Sequence, residues 1–200
     1  MPTVVVFNPK GGSGKTTLST NLAVALSQQG KTVTLHDLDP QLSSSDWLKT
    51  RKEHQQTITL STNESLTGSD WEVFDTPAGW PIDKLSALAT EMQYLIIPVL
   101  PSSLDIKVSV RFLMSLNKAD LLNGGWKIAM VANRVKRSTI SQRTLDAFLH
   151  HLQIPFVAQL GDSQNYVKAA ERGMGIMDLP THRVKREQIQ WQKLLAWLHG

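Results

Sequence analysis

The chain has 200 residues, 41% of them hydrophobic, which suits one domain with a substantial core. It has no cysteine, which excludes disulfides, thiolate-held metals and iron–sulfur clusters. The net charge of +4 is uneven: residues 1–100 carry 7 Lys/Arg against 10 Asp/Glu, and residues 101–200 carry 14 against 7, which suggests a basic face on the C-terminal half.

The first predicted element is a strand, Val4-Val5-Val6-Phe7. It runs into Asn8-Pro9-Lys10-Gly11-Gly12-Ser13-Gly14-Lys15-Thr16-Thr17, and then into a helix with Leu18, Leu22, Ala25 and Leu26 on one face. Glycines let successive backbone N–H groups turn onto an anion, and the helix behind adds its free N–H groups and positive dipole end. Lys15 is placed to reach β- and γ-phosphates, and the Thr16 hydroxyl to ligate Mg²⁺. The usual phosphate-binding loop opens on glycine; here Pro9 holds that position and a second lysine, Lys10, follows it.

Gly30 reads as the helix C-cap. A second strand, Thr32 to Leu35, ends at His36-Asp37-Leu38-Asp39-Pro40-Gln41, so two carboxylates fall at the edge where open α/β sheets bind ligands. His36 reads as a locally hydrogen-bonded histidine, since nothing completes a metal site around it. Leu42 to His54 is expected to be helical, its start capped by Ser43-Ser44-Ser45. A short strand follows at Thr57 to Leu60, then a polar loop over 61–70. Trp71-Glu72-Val73-Phe74-Asp75-Thr76-Pro77 is a strand ending in an aspartate suited to a Mg²⁺ hydration shell, with Glu72 interrupting the apolar run.

Ile82 to Met92 is expected to be a helix, and Tyr94 to Val99 a strand buried on both faces. Pro101 to Asp105 leads into a helix over Ile106 to Leu122. Asn117-Lys118-Ala119-Asp120 spells a guanine-reading motif but lies inside a helical pattern, so it reads as a solvated face. The strand Lys127 to Ala132 ends in Asn133-Arg134. Ser138 or Thr139 begins a further helix to His151, with His150-His151 at the surface, and Ile154 to Ala158 is the last expected strand. A short helix over 164–171 precedes a final helix from His182 to Leu198, whose Val184, Gln188, Trp191, Leu195 and Leu198 share a face. That helix is expected to pack on the sheet. A basic patch is expected from Lys168, Arg172, Arg183, Lys185 and Arg186.

The loop with its early lysine, the Asp-x-Asp-Pro-Gln segment and the Asp-Thr-Pro segment together resemble the deviant Walker A ATPases of the ParA/MinD family, closest to small plasmid partition proteins. The resemblance implies one doubly wound α/β domain over residues 1–200, with a mostly parallel sheet and nucleotide at its carboxyl edge. It implies ATP and Mg²⁺ as cofactors. Lys10, Gly11, Gly12, Ser13, Gly14, Lys15, Thr16 and Thr17 would hold the phosphates, and Asn133 the adenine. Thr16, Asp37 and Asp75 would serve the metal, and Asp39 would orient the attacking water.

In that family the early lysine reaches across to a partner's phosphates, so Lys10 would complete the site of a second copy in an ATP-dependent homodimer. Residues 160–163 would wrap the base, and Pro101 to Asp105 would lie at the dimer interface. The implied function is ATP hydrolysis, stimulated by a ParB-like or adaptor protein, by a dimer that binds DNA without sequence preference and moves cargo over the nucleoid. Plasmid partition is the first cargo reading, and carboxysome or other protein-cargo positioning the second. MinD relatives end in a basic membrane helix, so a membrane-cycling ATPase is a further alternative; the cations of the last helix cluster at its start and it carries Glu187, which argues against it. A superfamily enzyme such as dethiobiotin synthetase, which needs no Lys10, is another. No apolar stretch approaches a membrane span, and the early first strand leaves no room for a signal peptide, so a cytoplasmic, nucleoid-associated protein is expected.

Overall fold

A computed structural model describes residues 2–52, 55–88, 93–123, 125–136 and 154–200. Seven strands form one parallel sheet in the order β3-β2-β4-β1-β5-β6-β7. They are β1 (Thr3–Val6), β2 (Val33–Asp37), β3 (Thr59–Ser61), β4 (Trp71–Asp75), β5 (Tyr94–Val99), β6 (Lys127–Val135) and β7 (Phe156–Gly161). The helices are α1 (Lys15–Ser27), α2 (Ser43–Thr50), α3 (Ile82–Leu88), α4 (Ser103–Lys118), α5 (Gln164–Ala170) and α6 (Thr181–His199). The helix expected from Ser138 or Thr139 to His151 lies outside the described residues.

Strand pleating divides the core. Val4 and Val6 face one side, with Leu18, Leu22 and Leu26 of α1 and Trp191, Leu194 and Leu198 of α6. Val5 and Phe7 face the other, with Leu85 of α3 and Phe112 and Leu116 of α4. β1 lies between β4 and β5, so the chain leaves it at the point where the strand order reverses. That places the glycine loop, Asp37 and Asp75 along one carboxyl edge.

Several boundaries differ from expectation for identifiable reasons. α2 stops at Thr50 because Arg51 turns extended and its guanidinium enters a buried ion pair with Asp178 at 2.7 Å. The cap of α1 is Gln28, and Gly30, at φ 77°, supplies the left-handed turn that follows. β7 begins two residues later than expected and runs through Gly161. The Asn117 to Asp120 segment spans the end of α4, not a strand end, which agrees with its reading as a helical face. α6 buries Trp191, Leu194 and Leu198 against the sheet, and its Glu187 is buried too. Among the described residues no helix is long and apolar enough to cross a membrane.

Glu72, which interrupted the apolar pattern, is fully buried beside His36 on the neighbouring strand, at 2.7 Å. The other His36 ring nitrogen, Nδ1, faces the Asn63 carbonyl at 2.8 Å and so donates there. Glu72 also accepts from the backbone N–H groups of Thr67, Gly68 and Ser69. Burial alone would raise its carboxyl, but His36 and Thr67 together hold it below the ordinary glutamate value. A depressed acid contributes stability above its unfolded value and loses it as pH falls through the folded one. Asp75, raised by burial, works the other way, so the Glu72 contribution is isolated by comparing variants. Glu72→Gln is expected to lose about 3 kcal/mol at pH 7 in urea unfolding, with the gap to wild type shrinking below pH 4.5. A gap that stays constant down to about pH 3 would refute an ionised Glu72.

Candidate functional site

The loop between β1 and α1 is held open by its neighbours. Asn8 Nδ2 donates to the Pro98 carbonyl at 2.6 Å, and Asn8 Oδ1 accepts from Lys10 N–H at 2.8 Å. Gly79 N–H donates to the Pro9 carbonyl at 2.9 Å, and the Thr76 hydroxyl donates to the Val6 carbonyl at 2.8 Å, so the segment after β4 is tied to the loop's start. Gly14 sits at φ 93°, and a Cβ there would collide with Asn133 Nδ2, so both conformation and space demand glycine. Gly14 caps α1 without a side chain, which leaves the first-turn N–H groups to an anion. The Ser13 hydroxyl is buried with no hydrogen-bond partner among the described residues. An orphaned hydroxyl beside a glycine cradle fits a phosphate group.

Lys15 is 7% exposed. Burial pushes its ammonium pKa down, and Asp75 and then Asp39 push it back, so a cation faces two carboxylates across the loop. Asp37 and Asp75 are register partners on adjacent strands, both buried. Burial first, and the Asp37 charge with it, push the Asp75 carboxyl up to about 6, against the opposing pull of the Ser44 and Thr16 hydroxyls and Lys15. Two buried carboxylates that repel each other are suited to a divalent cation. Among the described residues no group of three or more His, Cys, Asp or Glu could hold a metal by itself. Mg²⁺ keeps several waters and takes phosphate oxygens; Thr16, Asp37 and Asp75 are the residues that would serve it.

The serines of α2 are not the cap expected of them. Leu42 takes the cap position at φ 52°, with no side-chain bond. Ser44 Oγ instead donates to Asp75 at 2.5 Å, and Ser45 donates to Asp37 from both its N–H and its hydroxyl at 2.7 Å. The serine tract therefore holds both acidic groups, and a serine run shortly after a strand-ending Asp was the only signal for it. Asp39 lies partly exposed just beyond β2, accepting from Gln41 N–H at 2.9 Å.

Lys10 stands apart from its own cradle. Its ammonium pairs with Asp105 of α4 at 2.7 Å, and that carboxylate also accepts from the Ser102 hydroxyl. Sequence reasoning missed Asp105, although Ser102-x-x-Asp105 has the spacing of a helix-capping pair. Asn133 donates from Nδ2 to the Ser13 carbonyl at 2.8 Å and accepts from Arg134 N–H at 3.0 Å, so it buttresses the loop. Beside it a cleft of about 430 Å³ is lined by Thr17, Asn133, Arg134, Asp162, Ser163 and Tyr166 among others. Lys168, Arg172, Arg183, Lys185 and Arg186 are all exposed, on α5, just after it, and at the start of α6.

The comparisons with known proteins agree with this geometry. The chain is 30% identical over 164 residues to the "Maintenance of carboxysome distribution protein A" of Halothiobacillus neapolitanus, covering 76% of each chain. The fold is shared with an ATP complex of a Cyanothece McdA variant, at TM-score 0.75 and 17% identity over 97% of this chain and 96% of that one. It is also shared with a putative plasmid partition protein from Borrelia burgdorferi B31 bound to AMPPNP, at TM-score 0.75 and 17% identity over 98% of each chain. The family model "CobQ/CobB/MinD/ParA nucleotide binding domain" matches residues 4–176, and with its glycine cradle, buried Lys15 and paired strand-end carboxylates the chain belongs to that family.

Proposed function

We propose that this protein is a ParA-type ATPase whose ATP-loaded homodimer binds DNA without sequence preference and positions cargo on the nucleoid. The observation that carries the reading is the contrast between the two lysines. Lys15 is buried against Asp75 and Asp39, while the half-exposed Lys10 is held outside the cradle by Asp105. A cation held there is available to a second copy's phosphates once Asp105 releases it. Mg²⁺, when bound, supplies charge neutralisation for the β- and γ-phosphates. Gly11 to Thr17 bind and orient the triphosphate, and Asp39 orients the attacking water. Lys15 and the Lys10 of a second copy stabilise charge on the transferring phosphoryl group.

Dimerisation doubles the exposed cations of α5 and α6, which raises affinity for DNA and steepens its salt dependence. Hydrolysis, stimulated by a ParB-like or adaptor protein, releases the dimer. The relative named for carboxysome distribution, matched along most of its length, favours a protein assembly over a plasmid as cargo. The membrane alternative is disfavoured because α6 spends its apolar face on the sheet.

The test is retention on mixed-sequence DNA at rising salt, with ATP and then ADP. Retention with ATP only is expected. The Arg183→Ala, Lys185→Ala, Arg186→Ala triple variant should elute at about half the salt of wild type, with its salt slope reduced by about 3 per subunit. Unchanged retention in that variant would remove α6 from the DNA surface, and equal retention with ADP would remove the ATP switch.

A further inference from the structure

α1 and α2 both start at the carboxyl edge of the sheet, and each serves the site from its near end. α1 begins at the phosphate cradle, and α2 begins with Ser44 and Ser45, which donate to Asp75 and Asp37. A cleft of about 330 Å³ separates the two helices there, lined by Thr16, Thr17 and Thr20 of α1 and by Ser43, Asp46 and Trp47 of α2. α2 is eight residues long, and Leu42 caps it without a side-chain bond. A helix that short has little stability of its own, so its placement depends on what grips its ends.

The grip at the far end of α2 is Arg51, whose side chain is 4% exposed. Its guanidinium forks onto Asp178, at 2.7 Å to Oδ2 and 3.3 Å to Oδ1, and donates to the Gly173 carbonyl at 3.0 Å. It also lies 5.6 Å from the centre of the Trp47 ring, whose Nε1 donates to the Met174 carbonyl at 3.3 Å. A Cβ on Gly173 would collide with the Arg51 backbone, so the end of α2 and this segment meet main chain to main chain. The same segment is fastened to α1. Ile176 N–H donates to Asn21 Oδ1 at 2.7 Å, and Gln28 Nε2 donates to Asp178 at 2.9 Å. Residues 173–178 therefore join α1 to the far end of α2, with a buried ion pair as the link to α2.

We propose that Arg51 and Asp178 are positioning residues that brace α2 against α1, and so fix where Ser44 and Ser45 hold the Asp75 and Asp37 oxygens relative to the phosphate loop. The inference rests on the Mg²⁺ reading above and adds to it a pair at the opposite end of α2. Mg²⁺ demands near-ideal geometry, so an edge that serves it together with phosphate oxygens tolerates little error in spacing. Groups that orient a metal's acidic partners from behind typically matter about 10- to 100-fold in metal affinity. A guanidinium suits the task because its planar fork fixes direction as well as distance.

The test is calorimetric titration of the full chain with ADP, once with excess Mg²⁺ and once with EDTA in its place. The ratio of the two affinities is the Mg²⁺ gain. Arg51→Met alone would strand a buried carboxylate, so it is combined with Asp178→Asn, which strands no charge and still accepts from Gly175 N–H. This double variant is expected to bind ADP in EDTA within about twofold of wild type and to lose about tenfold of the Mg²⁺ gain. Arg51→Lys keeps a charged donor to Asp178 but not the fork, and should lose about threefold of the gain. Should the double variant fail to fold, Arg51→Lys decides by itself. A general loosening would instead weaken ADP equally with and without Mg²⁺. That parallel loss, or an unchanged gain, overturns the brace while leaving the nucleotide site standing. A wild type with no Mg²⁺ gain overturns both the brace and the Mg²⁺ reading.

Discussion

Lys10→Ala is expected to bind ATP as wild type does, remain a monomer at saturating ATP, and hydrolyse ATP about 10³-fold more slowly, the worth of a cation delivered to phosphoryl transfer in trans. The reason lies in where the side chain rests. Its ammonium is 2.7 Å from Asp105, on a helix whose start is also secured by Ser102, outside the cradle in which Lys15 is buried. Removing it therefore spares the subunit's own cradle and removes what it lends to another. Lys10→Arg should not rescue, since a planar fork replaces a compact charge.

Asp105→Asn should act in the opposite direction. Lys10 is partly open to solvent while Asp105 is buried, and asparagine keeps the shape of that buried side chain. It frees the ammonium, and the dimer should form at several-fold lower ATP. Light scattering at graded ATP, beside phosphate release, reads both effects. A Lys10→Ala protein that still dimerises and turns over would place the chain with the enzymes that need no second lysine.

The second large effect concerns Asp39. Asp39→Ala is expected to lower ATP turnover by at least about 10²-fold while leaving ATP affinity near wild type and the ATP-loaded dimer long-lived. Asp39 sits past the end of β2, partly exposed, on a turn closed by its own bond to Gln41 N–H. It is the carboxylate of this edge that Ser44 and Ser45 do not occupy, which leaves it for a water. Asp75→Asn should behave differently. It removes a carboxylate held by Ser44 and Ser19 and close to Lys15, so Mg²⁺-dependent nucleotide affinity should fall along with turnover. Radiolabelled ATP retention on a filter, against phosphate release, separates a trapped dimer from an empty site. Equal loss of affinity in both variants would take the water-orienting role from Asp39.

The phosphate loop, the two strand-end aspartates and the alternation of the sheet were legible in the sequence because the physics behind them is local. A strand, a glycine turn and a helix dictate one another within a few residues, and Gly14 is required by its own φ. The doubly wound topology was implied by the resemblance that those motifs carry. The partners of those residues were not legible, because they depend on which strands become neighbours. Asp37 faces Asp75, and His36 lies beside Glu72, only because β4 inserts next to β2. Lys10 meets Asp105 because β1 and β5 are adjacent and α4 starts just beyond β5. Ser44 and Ser45 read locally as a cap, and local propensity contains nothing about a buried carboxylate arriving from a distant strand. The sequence alone determined which loop and which aspartates meet at this edge of the sheet; the tertiary structure decided which side chains hold them in place, because long-range pairing is set by strand order and not by neighbours along the chain.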